Sequence, residues 1–264
     1  MLTVSGIDIS RWQNKIDFTK LSKTNVKFIF IKATQGIKTV DSSFKETWKN
    51  LQNLGILHSA YHFFQSNLDP IQQAEHFIKT VGVLGDRHLP LVADVERWET
   101  GDLQDSGKLQ DSVESFLKKV EAESGKKPIL YTGSAFSRSY LGTRFGGYPL
   151  WVAHYGPPKP KISSAWKDWT FWQYTDQGKV DGIQTNTDMN WFNGTEQELL
   201  ALCGSPKPVV EVKPEVFHKT YIVISGDTLG KISKRYNVSI EDLVTLNHIE
   251  DQNKISVGQV LVLE

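Results

Sequence analysis

The sequence predicts an α/β fold, an irregular (β/α) barrel followed by a small βααβ domain, on three observations. Eight short apolar runs rich in β-branched and aromatic residues recur in the first 195 or so residues. Amphipathic helical stretches separate several of them, and a proline-rich break precedes a final segment of different composition. All 8 tryptophans lie between Trp12 and Trp191, so the final segment has none.

The runs are VSGIDIS, KFIFIKAT, LHSAYHFF, LPLVADVE, PILYTG, PLWVAHY, TFWQYT and TDMNWF. Their near-continuous apolarity suits strands buried on both faces, as in a parallel sheet. Between the second and third, Phe44, Trp48 and Leu51 form a helical stripe that follows the cap candidates Ser42 and Ser43 and ends before Gly55. Ile71, Ala74, Phe77 and Ile78 begin a second helix after Asp69-Pro70, where proline suits the first turn. A third runs from Leu109 to Glu123 with Val113, Phe116, Leu117 and Val120 on one face, and stops at Gly125. Alternating strands and helices with eight strands imply a TIM-like barrel. After PILYTG the helical patterns fade, so the later part of the barrel is expected to be irregular. The catalytic-size domain is assigned to residues 1–203, a linker containing Pro206, Pro208 and Pro214 to 204–218, and the small domain to 219–264.

Lys+Arg 30 against Asp+Glu 30 leaves no formal net charge and removes the basic footprint of most nucleic-acid binders. No stretch approaches the ~20 apolar residues of a membrane span. MLTVSGIDIS lacks a basic segment followed by an apolar one, which predicts synthesis in the cytoplasm without a signal peptide. The lone Cys203 cannot form an internal disulfide and is read as a small buried hydrophobe.

In such a barrel, chemistry gathers at the C-terminal strand ends. Asp8 lies in the first strand, Asp94 and Glu96 end the fourth, and Asp188 begins the last. Side chains alternate along a strand, so the i, i+2 spacing of Asp94 and Glu96 puts both carboxylates on one side, each raising the other's proton affinity. One of them can then remain protonated and donate to a leaving glycosidic oxygen while an ionised neighbour stabilises the positive charge that develops. Trp12, Tyr61, Phe63, Tyr131, Trp151, Trp172 and Tyr174 fall in or just after strand ends, where their faces could stack on sugar rings and Gln173 could hydrogen-bond to them. His58 and His62 are four apart, a ligand spacing on a helix, but their segment reads as a strand; no metal site and no cofactor is predicted.

In the final segment, strands at Tyr221–Ile224 and Val260–Leu263 bracket two helices. The first is expected to start at Asp227 as N-cap and to align Leu229, Ile232 and Tyr236. The second starts at Ser239 and aligns Ile240, Leu243 and Leu246. The marks Y-x-V-x-x-G-D-T-L, Asn247 and I-x-x-G-Q-x-L-x-L make this segment resemble a LysM module, a family that binds N-acetylglucosamine-containing glycans. The resemblance implies glycan contacts at Gly226, Asp227, Thr228, Leu229, Ile249 and Glu250.

The upstream part resembles a family 25 glycoside hydrolase, the lysozymes that cut the β-1,4 bond between N-acetylmuramic acid and N-acetylglucosamine. GIDIS with Asp8, FIKAT-x-G with Lys32, AYHF with Tyr61, PLVADVE, FWQYT and the D-x-N of Asp188 and Asn190 carry it. The resemblance implies Glu96 as the acid, Asp94 as its electrostatic partner, and Asp8 and Asp188 as the rest of an acidic cluster. Lys32, Tyr61, Tyr131, Trp151, Trp172, Gln173 and Asn190 would bind substrate. Gln35 stands where relatives often carry glutamate, which is read as a change in substrate fit. The expected protein is an endolysin-like peptidoglycan hydrolase held on the bacterial wall by its LysM, reaching the wall after release. The alternatives are a chitinase-like N-acetylglucosaminidase and a wall-binding protein without activity.

Overall fold

The computed structural model describes residues 3–13, 15–96, 105–204, 220–224, 226–247, 249 and 251–263. Two compact units divide the chain, Met1–Lys207 and Pro208–Glu264. The segment expected as linker lies, from residue 205 to 218, outside the described residues.

In the first unit, β1 (Thr3–Ile9), β2 (Phe28–Gln35), β4 (Leu57–Phe63), β5 (Val92–Asp94), β6 (Ile129–Gly133), β7 (Leu150–Ala153), β8 (Phe171–Gly178) and β9 (Thr187–Asn193) form a closed barrel. β3 (Thr39–Val40) is a short hairpin on the end of β2. All eight predicted strands are present; β3 was not anticipated, because two residues leave no periodic signal. Neighbours pair in parallel from β1 through β2 and β4 to β8, but β9 runs antiparallel to both β8 and β1 and closes the ring. The sheet cannot do otherwise there. Only eight residues, 179–186, join β8 to β9, and a parallel crossover needs a dozen or more.

The helices are α1 (Phe18–Leu21), α2 (Phe44–Leu54), α3 (Pro70–Val81), α4 (Ser106–Ser124), the single turn α5 (Ser134–Phe136) and α6 (Glu196–Ala201). Between β7 and β8 there is no helix, as the fading pattern predicted. The caps follow the sequence except at α2, where Ser43 precedes the helix but donates its hydroxyl to Asp41 Oδ1 instead of capping. Asp69 accepts from the Gln72 N–H at the start of α3, and Gly55 and Gly125 end α2 and α4 at φ 65° and 72°.

Strand alternation divides the core in two. Ile29, Ile31, Ala60, Ala93, Leu130 and Val152 face outward to the helices and pack with Phe77, Val113 and Phe116. Phe28, Phe30, Val92, Ile129, Trp151, Phe171 and Phe192 fill the barrel itself. The rings of Phe28, Phe30, Trp151 and Phe171 meet at centroid distances of 4.5 to 5.5 Å, a packed plug beneath the mouth. Cys203 is buried in this same apolar set, as expected. His58 and His62 lie on the outer face: His58 rests against Trp48 and His88, and His62 between Phe77 and Phe116.

The second unit holds β10 (Thr220–Ile222), α7 (Leu229–Tyr236), α8 (Ile240–Leu246) and β11 (Val260–Val262), the predicted βααβ order. Val223, Leu229, Ile232, Leu243, Leu261 and Leu263 make its core. Two expectations are corrected. Thr228, not Asp227, caps α7 by accepting from the Lys231 N–H. Asp227 instead accepts from the Ile224 N–H at 3.0 Å and the Tyr221 hydroxyl at 2.7 Å, which holds its carboxyl below the usual range. Ile240 and Leu246 are exposed, since a two-turn helix in so small a unit buries one stripe, centred on Leu243. Asn247 explains its place in the pattern: its amide accepts from the Val262 N–H and donates to the carbonyls of Val262 and Leu243, tying α8 to β11.

Candidate active site

A cavity of about 460 Å³ opens at the C-terminal ends of the parallel strands, above the aromatic plug. Asp8, Lys32, Tyr61, Asp94, Tyr131, Trp151 and Gln173 reach it from the inward positions of successive strands, Glu96 two residues beyond β5, and Asp188 from the start of β9. The inversion of β9 puts Asp188 there, because an antiparallel strand begins where its neighbours end. In the register Asp8 stands opposite Asp188. All four predicted acids therefore share one cavity. Ser10, Trp12 and Gln13 form one side of the rim, with Trp12 68% exposed and the Arg11 guanidinium over its ring.

The electrostatics follow from burial. Asp94 is buried, and its proton affinity is raised well above the ordinary value by loss of water and then by the Glu96 charge, with Lys32 opposing. Its Oδ1 has no hydrogen-bond partner among the described residues. Glu96 is also raised, by burial first, with Lys32 lowering and Asp188 raising it. Lys32 is itself lowered by burial. It donates to Gln35 Oε1 at 3.1 Å and lies over the Phe63 ring at 4.7 Å. Gln35 thus acts on the cavity through Lys32 and does not line it.

Asp8 is held by a network whose orientation is fixed by chemistry. The Trp151 indole N–H can only donate, and it does so to Asn190 Oδ1 at 2.8 Å. Asn190 Nδ2 must then face Asp8 Oδ2, at 2.7 Å. Gln173 Nε2 donates to the same oxygen at 2.9 Å, while Gln173 Oε1 accepts from the hydroxyls of Tyr131 at 2.9 Å and Tyr155 at 2.6 Å. Burial and the Asp188 charge raise Asp8 well above the ordinary range. Oδ2 of Asp8 thus accepts two amide bonds, while Asp188 faces Asp8 from the paired strand.

Three predicted substrate contacts are corrected. Trp172 lies on the outward face of β8, donates to the His154 carbonyl at 2.8 Å and packs against the helical layer; Tyr174, of the same parity, stacks on Trp191. With Gln173 inward, alternation forbids its neighbours from entering the cavity. Asn190 is completely buried and supports Asp8 from below without lining the cavity. Tyr155 and Asp176 line the cavity and were missed. Tyr155 ends the run PLWVAHY but lies two residues beyond β7, which stops at Ala153, so strand alternation does not place it.

In the second unit, Gly226 is exposed with φ 88° and Thr228 is exposed, so both remain available as contacts. Leu229 is buried in the core, so its side chain cannot be a glycan contact, and Ile249 is half-buried against the same core. Glu250 lies outside the described residues.

A closed barrel that carries buried, proton-retaining acids in an aromatic-lined mouth defines a glycoside hydrolase. The chain belongs to the family described as Glycosyl hydrolases family 25, which matches over residues 7–183, and its last segment, residues 221–264, is a LysM domain. It is similar to the protein YegX of Escherichia coli, 42% identical over 204 residues that cover 75% of this chain and 73% of that one. It is also similar to Lysozyme M1 of Streptomyces globisporus, 32% identical over 76% of this chain and 72% of the relative. Among solved structures, a bacterial lysozyme from Streptomyces coelicolor superimposes with a TM-score of 0.73 at 31% identity, covering 76% of this chain and 96% of that chain.

Proposed function

We propose that the barrel is an N-acetylmuramidase that hydrolyses the β-1,4 bond between N-acetylmuramic acid and N-acetylglucosamine in peptidoglycan, and that the LysM holds it on the wall. The carrying observation is the D-x-E pair facing one cavity with both proton affinities raised by burial. Glu96, half-buried at the rim, protonates the leaving oxygen. A bound glycan strips water from it and raises its proton affinity further. Asp94, below it, has an unpartnered Oδ1 suited to accept from the N–H of the sugar's own 2-acetamido group. That contact would aim the acetamido oxygen at the anomeric carbon as the nucleophile, a substrate-assisted course. Asp8 and Asp188, whose proton affinities burial raises, lie near where the oxocarbenium charge would develop.

Tethering by the LysM raises the local concentration of glycan without adding a catalytic contact. Digestion of purified walls, followed by mass spectrometry of the new reducing ends, tests the reading: muramic acid at those ends supports it, and N-acetylglucosamine there would refute it in favour of a glucosaminidase. Glu96→Gln is expected to lower release of reducing ends by about 10²–10⁴-fold while wall pull-down persists. An inverted first-formed anomer by NMR would exclude the acetamido route.

A further inference from the structure

The chain has no formal net charge, but its charge is not evenly spread. Residues 15–49 hold eight lysines against Asp17, Asp41 and Glu46, a net +5, which leaves −5 for the remainder. Two of the eight lysines are engaged, Lys32 in the cavity and Lys27 in an ion pair with Glu196 at 3.2 Å. The other six, Lys15, Lys20, Lys23, Lys38, Lys45 and Lys49, are exposed. Among the described residues none of these six meets a carboxylate within ion-pair distance, whereas on α4 Lys118 pairs with Glu114 and Lys119 with Glu75 and Glu123. Residues 97–104 lie outside the described residues; Arg97, Glu99 and Asp102 give them a net −1, enough to offset one of the six at most.

The fold gathers these lysines on one sector of the barrel wall. α1 crosses from β1 to β2 and α2 from the β2–β3 hairpin to β4, and β1, β2 and β4 are consecutive neighbours in the sheet. The start of α2 is also tied to the turn after β1, since Asp41 Oδ2 accepts the Arg11 N–H at 3.3 Å and its Oδ1 the Ser43 N–H at 3.0 Å. Of the acids here Asp41 is buried, while Asp17 and Glu46 are exposed, so six lysines face two carboxylates at the surface. On α2, Phe44, Trp48 and Leu51 pack on the core, and Lys45 and Lys49 point outward one turn apart. Like charges at that spacing weaken a helix. Nothing inside the fold compensates for it, which points to an anion outside.

A chain without net charge has no overall attraction for an anionic partner, and a segregated face supplies one. All six groups are lysines, compact point charges without the planar fork by which arginine selects a single carboxylate or phosphate. They are spread along the wall, from Lys38 and Lys45 at the mouth end to Lys23 and Lys49 farther down, and none lines the catalytic cavity. Charges distributed in this way suit a flexible chain with anions at intervals; the few carboxylates of a peptide stem would meet only one or two of them. A lipid surface fits poorly, because a helix lying on a membrane needs an apolar face toward the lipid, and that of α2 is already packed on the core. We propose that this face binds a polyanion of the bacterial wall, a polymer with phosphodiester groups in its repeat, and so adds a second hold to that of the LysM. The contact lies outside the cleft and does not depend on which glycosidic bond is cut.

The test compares binding of the full chain to purified walls that bear phosphodiester polymer with binding to the same walls after hydrofluoric acid has cleaved the phosphodiesters, each at low and high salt. Two variants run beside it, one combining Lys20→Gln, Lys23→Gln, Lys45→Gln and Lys49→Gln, the other Lys20→Arg, Lys23→Arg, Lys45→Arg and Lys49→Arg. On unextracted walls at low salt the glutamine variant should bind on the order of tenfold more weakly than the unaltered chain. The arginine variant should match the unaltered chain, and high salt should erase the difference. On extracted walls all three should bind alike. The salt dependence of the unaltered chain reads the same contact without any substitution: steep on unextracted walls and shallow on extracted ones. An equal loss by the glutamine variant on extracted walls assigns the lysines to stem carboxylates and overturns the proposal. Tighter binding of the unaltered chain to vesicles of anionic phospholipid than to unextracted walls overturns it in favour of a membrane. Unchanged binding by the glutamine variant on both kinds of wall overturns it outright. Reducing ends are read in a separate assay, so this proposal and the muramidase reading can each fail alone.

Discussion

His62 should make the barrel lose stability in mild acid, by an amount that can be worked out. Its ring is buried, stacked on Phe116 at 5.0 Å and tilted against Phe77 at 5.4 Å. Gln73 Oε1 also accepts the Gln65 N–H, so it takes the proton of His62 Nε2, and Nδ1 is left to accept from the Thr34 hydroxyl at 2.7 Å. The neutral ring is thus fully bonded, and burial lowers its pKa from 6.5 to about 3. The folded state refuses a proton that the unfolded chain accepts, so this contribution is complete above 6.5 and is lost as pH falls from 6.5 toward 3. Between pH 7 and pH 5 linkage gives a loss of about 2 kcal/mol. For a urea m-value of about 2 kcal/mol/M that is about 1 M in the midpoint. The cavity carboxylates, whose proton affinities are raised, push stability the other way, so the comparison must be differential. His62→Gln, unfolded in urea at both pH values, should lose about 2 kcal/mol less than the unaltered chain. Tryptophan fluorescence reads the barrel alone, because all 8 tryptophans lie within residues 12–191. Parallel stability curves for the two proteins would refute the argument.

Three further outcomes follow from the site and the barrel core. Lys32→Met removes a charge that lowers Glu96, so Glu96 should stay protonated to higher pH and the alkaline limb of kcat/KM should move up; a limb that stays or moves down counts against Glu96 as the acid. Asn190→Ala strips partners from both Trp151 and Asp8, and should cost about 1–3 kcal/mol in urea unfolding, with a fall in kcat larger than any rise in KM; unchanged kcat would remove Asn190 from the support of Asp8. Gly6→Ala would place a Cβ 2.4 Å from the Phe28 ring at the centre of the plug. A loss of about 1–3 kcal/mol from overpacking is expected in thermal or urea unfolding, and none would mean that the plug yields freely.

The strands and the four acids were legible because both rest on local rules: buried strands need apolar runs, and an acid at the end of such a run has no packing role. What the sequence hid was parity and distance. Trp172 and Tyr174 looked like sugar platforms until Gln173 was known to face inward, after which alternation turns both away. That constraint was available from the carboxylates themselves: Asp8, Asp94 and Asp188 must share a face, and reading each strand from its functional residue assigns the rest. Tyr155 lies two residues past β7, where no period exists to place it, and Asp176 sits within β8 beyond the register shift that follows Gln173, which breaks the alternation. In the small domain Asp227 and Thr228 are adjacent cap formers, and only the backbone decides between them; the choice went to Thr228 because the Asp227 carboxylate was already engaged by β10.

The antiparallel closing strand links the fold to the chemistry. Seven residues from Thr187 to Asn193, at about 3.3 Å each, span ~20 Å, roughly the depth from mouth to floor. Had β9 run parallel, Asp188 would begin at the floor and could not stand opposite Asp8. Running backwards, the strand spends Asp188 at the mouth, Asn190 one inward position deeper and Phe192 in the plug. The same strand therefore supplies an acid, the amide that orients the opposite acid, and the apolar base on which both stand. The short connection that forces the inversion is thus a determinant of the site. Lengthening it would not reverse the strand, since the pairing of β9 with β1 and the burial of Phe192 hold it in register, but it would release the bond from Gln13 Nε2 to the Asn186 carbonyl that ties this hairpin to the rim beside Trp12. An insertion of glycines after Asp181 should accordingly leave the urea midpoint within about 0.5 kcal/mol of the parent, the scale of a surface change, and raise KM more than it lowers kcat. A matching collapse of stability would show instead that the connection holds the barrel closed.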